Sequence, residues 1–190
     1  MAVQRGGNKR AWEHALRAPT LILGVGNILL GDEGVGVRVV ETLHDKDLPE
    51  GVEVLDGGTA SLDLLNSLAD REKVIVIDAV QGGCEPGSIY RFTPDDVETP
   101  YEHATSLHQV GLLETLAIAR QLGCTPREVI ILGVEPASLE YGLGLSAQVA
   151  AAVPRAIDMV LAELADEPPV GGQAEPGSTG ESPGEEGGDA

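Results

Sequence analysis

The stretch from Leu21 to Leu43, LILGVGNILLGDEGVGVRVVETL, constrains the fold more than any other feature of this 190-residue chain. An apolar run ends in glycines, is followed by the adjacent carboxylates Asp32 and Glu33, and continues into an amphipathic pattern. We interpret the stretch as a strand, a tight turn and a helix that deliver both acids to the rim of a sheet. The glycines permit the turn, and a carboxylate beside a helix N-terminus is electrostatically favoured.

Along the rest of the chain, short aliphatic runs alternate with helical patterns. This alternation predicts strands at residues 20–26, 52–56, 73–79, 88–93 and 128–134, and helices at residues 34–44, 61–70, 107–122 and 146–165. The fold class is therefore α/β, a three-layer α/β/α sandwich with a mostly parallel, five-stranded twisted sheet. The strand at 88–93 follows the short turn QGGCEPG, so we expect it to pair antiparallel and make the sheet mixed.

Two apolar stripes with helical spacing are interpreted as core-facing rather than as parts of a ligand site. They are Leu62, Leu65 and Leu68 in one helix, and Leu112, Leu116 and Ala119 in another. The pattern predicts one domain over residues 19–165. It is flanked by a polar extension at 1–18 and an acidic tail rich in Pro, Gly, Ser and Glu at 166–190, both predicted to be disordered.

Charge and composition exclude several classes of protein. The formal net charge is −19, and about −12 remains without the seven acids of the tail. Such a chain is a poor candidate for binding nucleic acid, whose affinity depends on Lys and Arg. The segment before Pro19 lacks an apolar core, so we expect no signal peptide, and no apolar run reaches the ~18 residues of a membrane helix, so we expect no membrane association. Cys84 and Cys124 form no zinc or disulfide pattern, which favours the cytoplasm. The oligomeric state is left open, a monomer included.

Familiar motifs of other enzyme classes are absent from the sequence. The glycines that begin at Gly24 do not give G-x-G-x-x-G, because Leu29 occupies the third position, and no G-K-[ST] follows. We therefore expect no nucleotide cofactor. No G-x-S-x-G or H-E-x-x-H occurs, and neither cysteine has a histidine fixed beside it by sequence.

Acids at strand ends are the first candidates for chemistry, because ligands of open α/β sheets bind at the carboxyl ends of strands. Asp56 ends the second predicted strand, and Asp78 ends the third in the otherwise apolar VIVIDAV. A buried carboxylate needs a partner, since uncompensated desolvation costs several kcal/mol. That partner is either a metal ion or, for Asp78, the local backbone hydrogen bonds that Asp often accepts at strand ends.

His108 begins a predicted helix after a long loop, where an imidazole can be directed into a crevice. Together, Glu33, Asp78 and His108 supply an O, O, N donor set that suits a divalent ion such as zinc or nickel. A solvent-facing His108 is the alternative. The remaining histidines are His103 in the same loop, which could substitute, His14 in the N-terminal extension and His44 at a helix end.

Five ordered blocks between roughly Thr20 and Leu164 resemble the hydrogenase maturation endopeptidases, which trim the C-terminus of the large subunit of nickel–iron hydrogenases. The blocks are GVGNILLGDEGVGVRVVETL, VEVLDGGTASLDLL, VIVIDAV, SLHQVGLLETL and ILGVEPASLEYGLGLSAQV. The resemblance implies that the family's metal-binding acid, its aspartate and its histidine correspond to Glu33, Asp78 and His108. Asp56 and the glycines after it match a further block, which we interpret as shaping the site.

The resemblance also implies an aspartic-type endopeptidase that cleaves the large-subunit precursor after nickel insertion. Nickel carried by the substrate would be the recognition element, engaged by the same three residues that carry the catalysis. Either the metal polarises the scissile carbonyl or a carboxylate activates water. Two other functions stay open: an autonomous metallohydrolase with its own zinc, and a nickel-dependent assembly factor that binds the precursor without cleaving it.

Overall fold

The computed structural model describes residues 17–59, 62–97 and 107–165. Side chains at positions 62 and 107–110 are outside that description. The predicted disordered segments, apart from residues 17 and 18, also lie outside the described residues, and so do residues 98–106, the part of the loop that carries His103.

Five strands form one sheet, and their bounds match the predicted strands closely. They are β1 (Thr20–Gly24), β2 (Val52–Asp56), β3 (Lys73–Ala79), β4 (Ile89–Phe92) and β5 (Glu128–Val134). Their order across the sheet is β2-β1-β3-β5-β4, with β4 antiparallel to β5 and all other pairs parallel. The mixed sheet is thus confirmed. Because β1 and β5 occupy both sides of β3, β4 pairs with β5 at the edge.

Helices cover both faces of the sheet and complete three layers. One face carries α1 (Val35–His44) and α4 (Ala147–Ala165), and the other carries α2 (Leu65–Leu68) and α3 (Leu107–Leu122). Every residue of β3 is buried, which explains its nearly continuous apolar sequence. Among the helices within the described ranges, none is long and apolar enough to cross a membrane.

Two predicted elements differ from the structure at their ends. The helix predicted over 61–70 is a 3-10 helix, Leu62–Leu64, followed by the short α2. This helix ends at Leu68 because Ala69 leaves the helical conformation with a ψ of 133°, and Asp70 then adopts a left-handed φ of 60°. The first strand ends at Gly24 rather than at residue 26. There the chain turns away, and Gly26 donates a hydrogen bond to the Gly58 carbonyl oxygen (N···O 2.7 Å).

The two predicted core stripes have different outcomes. Leu112, Leu116 and Ala119 are all buried, as predicted. In the other stripe Leu68 is buried, but Leu65 is half-buried and Leu64 packs in the core instead. The 3-10 turn before α2 has a different period from an α-helix, and this shifts the face that meets the sheet.

Two glycines allow the chain after β1 to press against neighbouring backbone. A Cβ atom on Gly36 would lie 2.2 Å from the Ile77 carbonyl oxygen and 2.3 Å from that of Val25. Gly26 has a φ of 143°, and a Cβ atom there would lie 1.8 Å from the Glu33 carbonyl oxygen. These contacts leave no room for a side chain and bring the segment that carries Glu33 onto the end of β3.

We expect Gly36→Ala to lower the free energy of unfolding by about 3 kcal/mol, because two carbonyl groups must move to admit the methyl group. Urea denaturation measures the change. Gly142→Ala is the matched control: a Cβ atom there meets nothing closer than the Glu140 carbonyl oxygen at 3.9 Å, so we expect a change within about 0.5 kcal/mol. Equal stability of the two variants would contradict this account of Gly36.

Candidate active site at the carboxyl edge of the sheet

The ends of β1, β2 and β3 lie side by side at one edge of the sheet. Gly24 is in register with Asp56 on one side and with Ile77 on the other, and the Val25 N–H donates to the Ile77 carbonyl oxygen (N···O 2.8 Å). The 3-10 helix that follows β1, Gly31–Gly34, packs against β3. The segment that carries Glu33 therefore lies beside the strand end that carries Asp78.

Glu33 is buried, with 7% of its surface exposed. It lies in the 3-10 helix and two residues before the start of α1, so it occupies the N-terminal end of that helix as predicted. A negative charge is electrostatically favoured there.

Asp78 is more deeply buried, at 1% exposure, and its Oδ1 accepts a hydrogen bond from the Ala79 N–H (2.8 Å). The local hydrogen bond that Asp often accepts at a strand end therefore exists. Successive side chains of a strand point to opposite faces, and Val74 and Val76 pack in the core that includes Leu112 of α3. Asp78 therefore lies on the same face of β3 as Val74 and Val76, and α3 covers that face.

His108 is the second residue of α3 and lies one helical turn before Leu112. The side chain of His108 lies outside the described residues. His103 and His14 also lie outside them, and His44 is exposed at the last position of α1, as predicted. Among the described side chains, no three from His, Cys, Asp and Glu converge closely enough to hold a metal ion. The structure thus brings two of the three predicted metal ligands, Glu33 and Asp78, to the carboxyl edge of the sheet.

Asp32 does not share the site with Glu33, which corrects the expectation that both acids reach the rim. Its carboxylate is buried and accepts hydrogen bonds from the backbone N–H groups of Ala137 (2.8 Å), Ser138 (3.2 Å) and Ser146 (2.6 Å). Neighbouring residues of a 3-10 helix point about 120° apart, so adjacent acids face different surroundings. Asp32 therefore holds both ends of the loop that joins β5 to α4.

Glu135 is a buried carboxylate that the sequence patterns did not single out. Its Oε2 accepts hydrogen bonds from the Tyr90 hydroxyl and from the N–H groups of Gly82 (2.7 Å) and Cys84 (3.3 Å). Burial, followed by side-chain hydrogen bonds of the Tyr90 hydroxyl with Cys84 and Glu135, raises the pKa of Tyr90 above its ordinary value, which keeps the phenol protonated. An acid directly after the apolar ILGV was the available signal, the same signal that singled out Asp78.

Asp56 shapes the edge through its turn. Its Oδ1 accepts a hydrogen bond from the Gly58 N–H (2.8 Å), and the Gly57 N–H donates to the Gly24 carbonyl oxygen (2.8 Å). This turn supports the glycines after β1 from the side opposite β3. Cys84 is exposed, Cys124 is half-buried, and both are free thiols.

Comparisons with known proteins agree on one family. A family model described as hydrogenase maturation protease matches residues 37–163. The hydrogenase 2 maturation protease of Escherichia coli K12 is 42% identical over 146 residues, which cover 76% of this chain and 89% of the relative. The chain therefore belongs to the hydrogenase maturation protease family and is an endopeptidase.

Solved structures of such proteins share the fold. The hydrogenase maturating endopeptidase HybD from E. coli aligns with a TM-score of 0.71 at 41% identity, over 80% of this chain and 93% of that one. The hydrogenase 2 maturation peptidase from a Thaumarchaeota archaeon aligns with a TM-score of 0.60 at 39% identity, over 78% of this chain and 99% of that one. The predicted α/β class is thereby confirmed.

We expect Asp32→Ala to free the loop between β5 and α4, because three backbone N–H groups lose one buried acceptor and each orphaned group costs about 1–3 kcal/mol. Amide hydrogen exchange at Ala137, Ser138 and Ser146 should accelerate about tenfold or more. Asp56→Ala is the control, since this exposed carboxylate accepts one backbone bond in its own turn. Unchanged exchange in the Asp32 variant would disprove the role.

Proposed function

We propose that this endopeptidase removes the C-terminal extension of the large-subunit precursor of a nickel–iron hydrogenase after nickel has been inserted. Membership of the family supports the reaction class. The observation that carries the proposal is the presence of two buried carboxylates, Glu33 and Asp78, at one edge of the sheet. The edge is also where the open α/β fold binds its ligands.

Nickel is part of the substrate in this proposal, and Glu33, Asp78 and His108 are the residues that would hold it. The two carboxylates supply hard oxygen donors, and an imidazole suits nickel. His108 supports this assignment by its position in the chain, because it lies one helical turn before Leu112, and Leu112 packs against the face of β3 to which Asp78 belongs. A bound divalent cation supplies recognition of the mature precursor and a Lewis acid beside the scissile peptide.

The chain's own carboxylates give the reaction its aspartic type. Peptide hydrolysis needs a base that takes the proton of the attacking water, and a carboxylate of Glu33 or Asp78 can accept it. Their burial excludes bulk water from the carboxylates, and low local dielectric strengthens their interaction with a cation.

We further propose a cytoplasmic location. Cys84 and Cys124 are both free thiols, which suits a reducing compartment. Nickel insertion into the precursor must precede the cleavage, so the protease has to work where that insertion takes place.

The first experiment is intact mass spectrometry of the large-subunit precursor from the same cell, incubated with this protein in nickel-loaded and nickel-free forms. We expect loss of a C-terminal peptide in the nickel-loaded sample alone, because recognition depends on the metal. Cleavage of both forms would contradict metal recognition and favour an autonomous hydrolase with its own zinc. Stable binding without cleavage would favour an assembly factor.

The second experiment tests the site residues. Glu33→Gln, Asp78→Asn and His108→Ala should each lower the rate of processing at least roughly 100-fold, since each removes a metal ligand or a catalytic base. Residues at strand-end loops contribute more to function than to packing, so circular dichroism and the melting temperature should change little.

The matched control for these variants is Glu41→Gln, which removes an exposed carboxylate that pairs with Arg38 on the outer side of α1 (2.8 Å). Its rate should stay within about twofold of the wild type, because exposed ion pairs contribute little. A wild-type rate in any of the three site variants would remove that residue from the site.

A further inference from the structure

An exposed apolar surface lies beside the candidate site. Among the residues that the structure describes, Leu29, Tyr141 and Leu143 are 56%, 92% and 83% exposed, and Ile28 is 39% exposed. We call these four residues the apolar rim. Single exposed apolar residues are ordinary, but a contiguous group marks a binding surface.

The two halves of the apolar rim are joined by backbone hydrogen bonds. The Gly142 N–H donates to the Leu29 carbonyl oxygen (3.0 Å), and the Gly31 N–H donates to the Gly142 carbonyl oxygen (3.0 Å). Leu30 and Gly142 form a parallel β-bridge between the segments. Leu29 therefore lies next to the pair Tyr141 and Leu143, which flank Gly142 in the chain.

The apolar rim is held in place although its side chains are exposed. Asp32 accepts the three backbone hydrogen bonds that fix both ends of the loop carrying Tyr141 and Leu143. A loop fixed in this way loses little conformational entropy when a partner binds, which favours affinity. Tyrosine is also among the residues that contribute most to binding energy at protein interfaces.

The apolar rim is continuous with the candidate site. Ile28 contacts the backbone of Gly34, the residue after Glu33: a Cβ atom on Gly34 would lie 2.9 Å from the Ile28 Cα. A polypeptide that reaches Glu33 over this side of the edge therefore crosses the rim.

The charge around the apolar rim favours one kind of partner. Residues 25–31 carry no charge, residues 136–146 carry the single charge of Glu140, and the chain as a whole has a formal net charge of −19. An apolar segment flanked by Lys or Arg complements this surface, whereas an acidic segment is repelled.

We infer that the apolar rim is the docking surface for the hydrogenase large-subunit precursor, which it contacts through an apolar segment with basic flanks. The inference rests on the proposed function for the identity of the partner. The apolar rim binds the folded precursor at a surface that does not include the nickel, so it contributes to binding of the nickel-free precursor as well. It separates the choice of precursor from the recognition of nickel at Glu33 and Asp78.

The test is the double variant Tyr141→Ser/Leu143→Ser, measured for equilibrium binding to nickel-free precursor and for cleavage kinetics with nickel-loaded precursor. We expect the Kd to rise at least about tenfold and kcat/KM to fall by a similar factor, with kcat at saturation nearly unchanged. The conservative variant Tyr141→Phe/Leu143→Met should keep wild-type binding, which separates lost apolar contact from a misfolded loop.

Leu122→Ser is the matched control, because Leu122 is 62% exposed but ends α3 at the opposite edge of the sheet. Its Kd should stay within about twofold of the wild type. Charge is tested by Glu140→Lys, which should weaken binding at low salt and lessen the dependence of binding on ionic strength.

The possible outcomes distinguish the docking surface from the proposed function. Wild-type affinity in the double variant, or no binding of the precursor by the wild type, overturns the docking surface. Binding that depends on the rim without cleavage of nickel-loaded precursor overturns the proposed function and leaves the docking surface standing. A wild-type dimer that dissociates in the double variant during sedimentation shows that the rim binds a second copy, which also overturns the inference.

Discussion

The close approach between the start of α1 and the ends of β1 and β3 is the contact on which the site depends. At Gly36 the backbone of α1 meets two carbonyl groups at distances that admit no side chain. This contact holds the 3-10 helix with Glu33 beside the strand end that carries Asp78. Glycine weakens a helix by up to about 1 kcal/mol, and here that cost is offset by the packing of a helix start directly onto the sheet.

Within the described ranges, four buried acids share the carboxyl edge, and their surroundings divide them into two pairs. Asp32 and Glu135 accept multiple backbone or hydroxyl hydrogen bonds and fix the loops that follow β5 and β3. Glu33 and Asp78 lie at the edge itself, where we propose that they engage nickel. A buried carboxylate must be stabilised by hydrogen bonds or by a cation, and Asp78 also accepts a hydrogen bond from the Ala79 N–H. The loop that Asp32 fixes also carries the apolar rim, so one residue links the site to its proposed docking surface.

Prediction of strands and helices from the sequence succeeded where an aliphatic run or a helical periodicity marked the element. The bounds of β2, β3, β5 and α3 agree with those predicted, because aliphatic runs and helical periodicity report the packing directly. It failed around α2, where a 3-10 turn changed the period, and at the end of β1, where Gly26 turns the chain away. Those boundaries depend on contacts with distant backbone, such as the Gly58 carbonyl oxygen, which local sequence does not contain.

The α/β class, the family and the candidates Glu33, Asp78 and His108 all follow from the amino-acid sequence alone, since strand patterns and ordered motifs are local properties. The sequence also marked Asp78, an acid after an apolar run, as an anomaly; Glu135 follows a similar run but was not singled out. Tertiary structure decided which acids reach the edge and which are used to fix loops. The physical reason is that a carboxylate's role depends on the hydrogen-bond donors around it, and Asp32 meets its donors more than a hundred positions along the chain, at Ala137, Ser138 and Ser146.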